Sequence, residues 1–186
     1  MRADVTKKLF TVDEYYRMLD AGILSENDRV ELIEGEIIQM SPIGNRHMAC
    51  VDRANDLFTT AFKGRALVSV QNPLRLNKYN EPQPDIVVLK PRADYYASKS
   101  HTPEDTFFVI EVSDTTVRYD TNIKLPIYAR TGVAEVWIEN LQEDLLLVCR
   151  NPTPTKYRSQ LELHRGDSIS PLAFPDVVFK VEELLG

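Results

Sequence analysis

The sequence predicts an α/β fold built on a mixed β-sheet. Short apolar segments bounded by turn residues, which are typical of buried strands, alternate along the chain with segments of helical periodicity. With 186 residues, 43% of them hydrophobic, the chain is long enough to bury one full core. Neither an internal repeat nor a low-complexity linker interrupts it. We therefore expect a single domain spanning residues 1–186.

The N-terminal third predicts a helix, a hairpin and a second helix. Thr11 is a suitable helix N-cap and lies three residues before Glu14, which is the pattern of a capping box, and Gly22 ends this helix. The segments VELI and EIIQM read as two strands joined by a turn at Glu34. An apolar face with helical spacing then runs over residues 45–63.

The remaining segments predict most of the sheet. Pro73 interrupts a bent strand or strand pair in ALVSVQNPLRLN, and QPDIVVLKP is a short strand. After a polar loop, FFVIEVSDTT has the apolar run of a strand buried on both faces. Residues 118–130 predict a helix that Pro126 kinks or shortens, and Trp137 is expected in the core. Two strands in AEVWIENLQEDLLLVCRN, and further strands at 157–164 and 176–181, complete the sheet.

The composition narrows the class of protein. The chain has 22 basic and 28 acidic residues and a net charge of −6, which argues against a globally basic nucleic-acid binder but is compatible with a local basic groove. Cys50 and Cys149 are too few for a disulfide framework, and the three scattered histidines lack zinc-ligand spacing. No segment approaches the roughly 20 apolar residues that span a bilayer. We expect a soluble, cytoplasmic protein with no membrane partner.

Glu111 is a carboxylate inside the apolar run FFVIEV. Burying a carboxylate without partners costs several kcal/mol or forces its protonation. Alternate side chains of a strand share a face. Glu111 therefore points the same way as Val109, and in the PDIVVL strand Asp85 points the same way as Val87. If these strands are neighbours, about 4.8 Å apart, Asp85 and Glu111 converge at one end of the sheet.

A divalent cation accounts for two carboxylates at one position. Close carboxylates repel each other, and one protonates unless a cation compensates the charge. Mg²⁺ takes oxygen ligands, typically one or two carboxylates with water and substrate phosphate oxygens. A lysine would orient or deprotonate the attacking water and offset charge on a phosphate. Lys124 lies in the helix that follows the Glu111 strand, and Asp120, four residues earlier, is positioned to pair with it.

The order of several motifs resembles a known family. The segments PDIVVL, FFVIEVSDTT and YDTNIKLPIYARTGVAEVWIEN, preceded by VELIEGEIIQMSP and His47, resemble the Uma2 family of restriction endonucleases, formerly a domain of unknown function. The resemblance covers roughly residues 10–185 and implies membership of the PD-(D/E)xK nuclease superfamily. It implies a restriction-endonuclease-like core at about residues 45–140, with a central mixed β-sheet flanked by helices. The N-terminal helix and hairpin and the C-terminal strands would be additions to that core.

The resemblance also implies a site. Pro84-Asp85 matches the PD element and Glu111 matches the acidic element. The family's lysine matches Lys124 in the following helix, whereas Ser113 occupies the usual E-x-K position. The implied cofactor is Mg²⁺ or Mn²⁺, bound by Asp85, Glu111 and the backbone carbonyl of Val112. Accessory candidates are His47, Glu34, Glu31, Gln71 and Asp120.

Each candidate also has a purely structural interpretation. Glu111 would reach solvent or pair with Arg118, and Asp85 would simply favour a turn. Lys124 would be a solvated helix residue paired with Asp120. In the same way, His47 would open the second helix, Glu34 would form the hairpin turn, and Gln71 would be a strand amide with its hydrogen bonds satisfied.

Three hypotheses of function follow. The leading one is a Mg²⁺- or Mn²⁺-dependent endonuclease that hydrolyses DNA phosphodiester bonds, as a homodimer whose apolar LLLVC segment forms the interface. The others are a binding module that kept the fold without turnover, and an interaction protein whose carboxylates form only surface pairs. A Lys124 ammonium within about 4–6 Å of the carboxylates favours chemistry. Unranked candidates for phosphate contacts are Arg75, Lys78, Arg118 and Arg130.

Overall fold

The elements follow one another in nearly the predicted order. A computed structural model describes residues 6–25 and 27–186. The N-terminal elements are α1 (Val12–Asp20), β1 (Val30–Ile33), β2 (Glu36–Gln39) and α2 (Asn45–Ala61). The middle elements are β3 (Leu67–Val70), β4 (Ile86–Leu89), β5 (Thr106–Ser113), α3 (Val117–Tyr119), a π-helical turn (Asp120–Lys124) and α4 (Leu125–Arg130). The C-terminal elements are β6 (Glu135–Asn140), β7 (Leu145–Pro152), β8 (Tyr157–Leu163), β9 (Ser168–Ile169), β10 (Phe179–Lys180) and α5 (Val181–Leu185).

A six-stranded mixed sheet forms the centre of the molecule, as the sequence predicts. Its strand order is β3-β4-β5-β6-β7-β8. Strands β5 and β6 are parallel, and every other neighbouring pair in this sheet is antiparallel. The parallel pair requires a crossover, which α3, the π turn and α4 provide between β5 and β6. That crossover segment is therefore held over one face of the sheet beside the end of β5.

The pairing of β4 with β5 brings the two predicted carboxylates together. In this antiparallel pair, Ile86 lies opposite Ile110 and Val87 lies opposite Val109. Asp85, which immediately precedes β4, is therefore level with Glu111 on the same face of the sheet. The predicted neighbour relation of these two strands is confirmed.

Apolar side chains form a core on each face of the sheet. On one face α2 packs its Phe58 against Trp137, which is fully buried, as predicted. On the other face α4 contributes Tyr128 to a cluster that contains Val87 and Val109. Strands β4 and β5 are buried on both faces, which explains why their sequences are almost continuously apolar.

The helices begin and end largely where local signals indicate. The Thr11 hydroxyl accepts from the Glu14 N–H at 3.1 Å, and the Glu14 carboxylate accepts from the Thr11 N–H at 2.9 Å, which confirms the capping box. The predicted 118–130 helix widens into the π turn just before Pro126. Proline cannot donate a backbone hydrogen bond and clashes with the carbonyl four residues earlier, so a wider turn at this point relieves both conflicts. Within the described ranges, no helix is long and apolar enough to cross a membrane.

Three predictions about the sheet need correction. Strand β3 ends at Val70 because Gln71 has a φ of 49° and Pro73 follows, so the rest of that segment adds no further strand to the sheet. The predicted 176–181 strand shrinks to β10, which pairs only with β9 in a separate small sheet. The LLLVC segment lies in β7 between β6 and β8, with Leu146 and Val148 fully buried. It is part of the core, so a homodimer remains a prediction without this interface.

Candidate active site

Asp85 is held by three hydrogen-bond donors at the start of β4. His47 Nε2, from the first turn of α2, lies 2.9 Å from Asp85 Oδ1, and Gln71 Nε2 donates to the same oxygen at 3.2 Å. The backbone N–H of Val112 donates to Asp85 Oδ2 at 2.9 Å. His47 and Gln71, both accessory candidates, are therefore direct neighbours of Asp85. The side chain is fixed in position from three directions.

Glu111 has one carboxylate oxygen occupied and one free of hydrogen bonds. The hydroxyl of Tyr128 donates to Glu111 Oε1 at 2.6 Å. Lys124 Nζ lies 3.4 Å from the same oxygen. Oε2 has no hydrogen-bond partner in the part of the chain that the structure describes, and Glu111 lines a pocket. This oxygen is the one available to a ligand.

Lys124 lies among three carboxylates. Its Nζ is 3.3 Å from Glu31 Oε2, 3.4 Å from Glu111 Oε1 and 3.9 Å from Asp120 Oδ1. Asp120 is held in turn by the hydroxyl of Ser113, which donates at 2.7 Å. The structural interpretation of Lys124 as a solvated helix residue is wrong, because the side chain is only 6% exposed.

Glu31 supplies a further carboxylate from the N-terminal hairpin. Its Oε2 accepts from the backbone N–H of Gln83 at 3.1 Å, and its Oε1 accepts from the hydroxyl of Tyr119 at 3.2 Å. Together with its contact to Lys124, these bonds link β1, the segment before β4 and the crossover helix at one point. The hairpin, an addition to the predicted core, therefore closes one side of the site.

These side chains surround a pocket of about 290 Å³ at the C-terminal end of β5. Four buried acidic residues line it, together with Lys124 and His47. These four buried residues are Glu31, Asp85, Glu111 and Asp120. The more exposed Asp114, which lies 3.9 Å from Arg46, and Arg29 also line the pocket.

The pKa values at this site reflect buried carboxyl groups that outnumber the one buried ammonium. Burial raises the pKa of Glu111 to about 8, since the charges of Asp120 and Asp85 add to the desolvation that Lys124 only partly offsets. Burial likewise raises the pKa of Asp120 above its ordinary value, despite the nearby Lys124 and the hydroxyls of Ser113 and Thr116. One buried ammonium does not compensate four carboxyl groups.

The pKa values of the two basic groups are also raised, but here the neighbouring carboxylates are the cause and burial opposes them. Burial lowers the pKa of Lys124, but the surrounding carboxylates, led by Glu111 and Glu31, outweigh it and raise the pKa above its usual value. Burial also lowers the pKa of His47, yet its hydrogen bond to Asp85 and the charge of that carboxylate raise the pKa overall. Lys124 therefore remains an ammonium at neutral pH, which suits it to stabilise negative charge and to orient water rather than to act as a base.

Two predicted candidates, Glu34 and Arg75, do not line the pocket, and a third, Val112, contacts Asp85 through a different atom from the one predicted. Glu34 occupies the hairpin turn with a φ of 52°, is exposed, and pairs with Arg130 at 2.6 Å, so it does not join the site. Arg75 pairs with Asp13 on the surface at 2.6 Å. Val112 contacts Asp85 through its N–H, and a ligand role for its carbonyl stays a prediction.

Sequence reasoning missed the two tyrosines that support the carboxylates. Tyr128 lies four residues after Lys124, so both side chains reach Glu111 from one side of the crossover segment. Tyr119, which bonds Glu31, belongs to the turn before the π-helical segment. Spacing by four from Asp120 through Lys124 to Tyr128 was the available signal, and it was hidden by the expectation that Pro126 disrupts the helix.

Glu139 is a further buried carboxyl group near the site, on the opposite face of the sheet. Cys50 Sγ donates to its Oε2 at 2.7 Å, while Oε1 is buried without a partner among the described residues. Burial raises the pKa of Glu139 to about 8, with a further contribution from Asp85. The group is expected to be neutral at pH 7, and it does not line the pocket.

The donor set fits a hard divalent cation, although no site is fully formed. Carboxylate oxygens are the ligands that Mg²⁺ and Mn²⁺ prefer, and Asp85 and Glu111 present theirs to one pocket. Across the described residues, no group of three or more His, Cys, Asp or Glu side chains has the arrangement of a ready metal centre. A bound cation would require Asp85 to exchange a hydrogen bond or Glu111 to present Oε2.

Fold and site together define a class of protein. The chain is a mixed α/β protein whose six-stranded central sheet, flanked by helices, carries an acidic pocket with one buried lysine at the end of its parallel pair. It belongs to the Uma2 family, described as "Putative restriction endonuclease", whose family pattern matches residues 12–182.

One solved structure supports the same fold. The chain is similar to a protein described as "a putative nuclease belonging to DUF820" from Anabaena variabilis, with a TM-score of 0.71 and 18% sequence identity. The match covers 95% of this chain and 97% of that one. No curated protein matches the chain. The predicted membership of the Uma2 family and the predicted mixed sheet are thus confirmed.

Proposed function

We propose that this protein is a Mg²⁺- or Mn²⁺-dependent endonuclease that hydrolyses phosphodiester bonds in DNA. The observation that carries the proposal is the cluster of buried carboxyl groups in one pocket, where Glu31, Asp85, Glu111 and Asp120 surround one ammonium. Burying uncompensated carboxylates is costly, so a fold that concentrates them has a use for a cation. The family's description as a restriction endonuclease supports DNA as the substrate.

Each side chain has a role that follows from its contacts. Asp85 and Glu111 would hold the cation, with His47 and Gln71 orienting Asp85 and Tyr128 orienting Glu111. A divalent cation supplies charge stabilisation at the phosphate and lowers the pKa of the attacking water.

Lys124 has the geometry of an electrostatic catalyst. The carboxylates around it keep it protonated and less than a tenth exposed, so its charge acts in a poorly hydrated environment. An ammonium held in this way stabilises charge that develops on the phosphate during attack and orients the incoming water. Asp120 and Glu31 fix its position, and neither is required to touch the substrate.

The second candidate is a binding module without turnover. Its motivation is that Ser113 occupies the E-x-K position, so the lysine comes from another element. The distance of 3.4 Å between Lys124 Nζ and Glu111 Oε1 argues for the catalytic candidate, because it falls inside the range in which the ammonium acts on that carboxylate.

The test is cleavage of supercoiled and single-stranded DNA by purified protein with Mg²⁺ or Mn²⁺. Wild type should cut and should stop when EDTA is added. Glu111→Gln and Lys124→Met should each lower the rate by about 100-fold or more. The matched control is Glu34→Gln, which removes a carboxylate outside the pocket and should leave the rate unchanged.

Melting curves separate lost chemistry from lost folding. Glu111→Gln keeps an acceptor for the Tyr128 hydroxyl, so this variant should remain folded. If folded Glu111→Gln protein cuts DNA as fast as wild type, the activity is not that of this pocket. If wild type cuts nothing under any of these conditions but binds DNA, the binding module replaces the nuclease.

A further inference from the structure

A second concave surface lies along the free edge of the main sheet. We call it the edge groove: it runs between β3, which pairs only with β4, and the loop formed by residues 95–101. Its volume is about 710 Å³, larger than that of the catalytic pocket, and it is more open. Nothing in the proposed chemistry accounts for this groove.

The composition of the edge groove differs from that of the chain as a whole. Three tyrosines, three serines and an asparagine line it together with Lys99 and His101. Among the described residues, no aspartate or glutamate lines it, although the chain carries 28 acidic residues and a net charge of −6. Lys99 is itself paired with Asp105 at 2.7 Å, so the surface is close to neutral rather than basic. Asp105, the carboxylate in this ion pair, is compensated by Lys99.

The loop presents one tyrosine by means of an unusual backbone. Tyr95 and Tyr96 are consecutive residues in the left-handed region, with φ of 50° and 64°. Bulky side chains rarely adopt this conformation, which costs of order 1–3 kcal/mol per residue. Tyr96 is buried and its hydroxyl donates to the Lys90 carbonyl at 2.8 Å, whereas Tyr95 is 73% exposed. The loop anchors one ring and displays the other.

The edge groove and the acidic pocket approach each other at two consecutive residues. Asn72 lines the groove, and the adjacent Gln71 donates to Asp85 in the pocket. A polymer with one phosphate at Asp85 and Glu111 would pass Gln71 on its way to the groove. This proximity lets one extended polymer occupy both surfaces.

We propose that the edge groove binds unpaired nucleotides of the DNA that enters the catalytic pocket, with the Tyr95 ring stacking on a base. This inference rests on the proposed function and extends it to a substrate class, DNA with a single-stranded segment. Aromatic rings stack on bases of any sequence, and duplex bases do not offer that face. Added strand pairing by a peptide is disfavoured because β3 has four residues and is cut short at Gln71 and Pro73.

The experiment measures binding without cleavage. Fluorescence anisotropy with EDTA present would compare a short labelled single-stranded oligodeoxynucleotide with a blunt duplex of the same sequence. Tyr95→Ala should weaken single-strand binding by at least about fivefold and leave duplex binding unchanged. Tyr95→Phe, which keeps the ring, should bind like wild type. Because Tyr95 is largely exposed, both variants should melt near the wild-type temperature.

The outcomes separate this inference from the nuclease proposal. Tyr95→Ala protein that binds the single strand as tightly as wild type overturns the inference, even if wild type cuts DNA. Single-strand binding that depends on Tyr95 upholds it, even if wild type cuts nothing and the nuclease proposal falls. Wild type that binds no single-stranded DNA overturns it and makes a peptide or a second copy of the chain the remaining occupants of the groove.

Discussion

Replacing Lys124 with methionine removes the one buried ammonium that lines the acidic pocket. Lys124 Nζ contacts Glu31, Glu111 and Asp120 at 3.3, 3.4 and 3.9 Å, and these carboxylates are 3–4% exposed. Breaking a buried ion pair by removing one partner costs about 3–5 kcal/mol, because a charge is left uncompensated. We expect a loss of that size in the free energy of unfolding for Lys124→Met in metal-free buffer at alkaline pH.

The loss should depend on pH in a defined direction. The pKa values of Glu111 and Asp120 are already raised in the folded protein, and they rise further when the ammonium is removed. A carboxyl group with a raised pKa in the folded protein does not lower the free energy of unfolding at a pH below its unfolded pKa. As the pH rises from the unfolded pKa toward the folded pKa, the group lowers the free energy of unfolding progressively. The difference between wild type and Lys124→Met should therefore be larger at pH 9 than at pH 6.

Guanidinium unfolding curves for both proteins at the two pH values provide the measurement. The matched control is Lys99→Met, which breaks a more exposed pair with Asp105 and should cost at most about 1 kcal/mol. Equal midpoints for wild type and Lys124→Met at pH 9 would refute the conclusion that this lysine compensates the buried carboxylates.

Three further predictions concern single side chains. Tyr128→Phe should weaken Mn²⁺ binding by about 10-fold or more, because the hydroxyl orients Glu111; an unchanged calorimetric Kd would argue against that role. Burial raises the pKa of Glu139 to about 8 in the folded protein, so wild type is expected to lose stability from pH 5 to pH 8, and Glu139→Gln should lose less; unfolding curves at both pH values check this. Thr11→Ala should lower stability by about 1 kcal/mol through loss of the capping box, and an unshifted melting temperature would contradict it.

The proximity of Asp85 and Glu111 was predictable because it depends on the alternation of side chains along neighbouring strands. Strand alternation fixes which side chains share a face, and a carboxylate within an apolar run has few uses other than binding. Lys124 and its pairing with Asp120 followed from helical spacing. These inferences needed only that β4 and β5 be neighbours.

The partners supplied by distant segments were harder to predict. Whether Glu31 or Glu34 joins the site depends on how the β1–β2 hairpin packs over the crossover helix, which no local pattern encodes. The spacing of four residues from Lys124 to Tyr128 places both side chains on one side of a helix, but Pro126 between them predicts a break in that helix. The chain instead forms a π turn before Pro126 and continues as α4, which sequence periodicity does not specify. The length of β10 is likewise set by tertiary contacts, since two-residue strands carry no periodicity.

The most direct test of the proposed metal-dependent site is calorimetric titration of Mn²⁺ into metal-free protein. Wild type and Glu34→Gln should bind the cation with the same affinity, and Asp85→Asn and Glu111→Gln should lose most of that affinity while remaining folded. Binding that is undiminished in both pocket variants, or absent from wild type, would contradict the conclusion that the buried carboxylates hold a divalent cation.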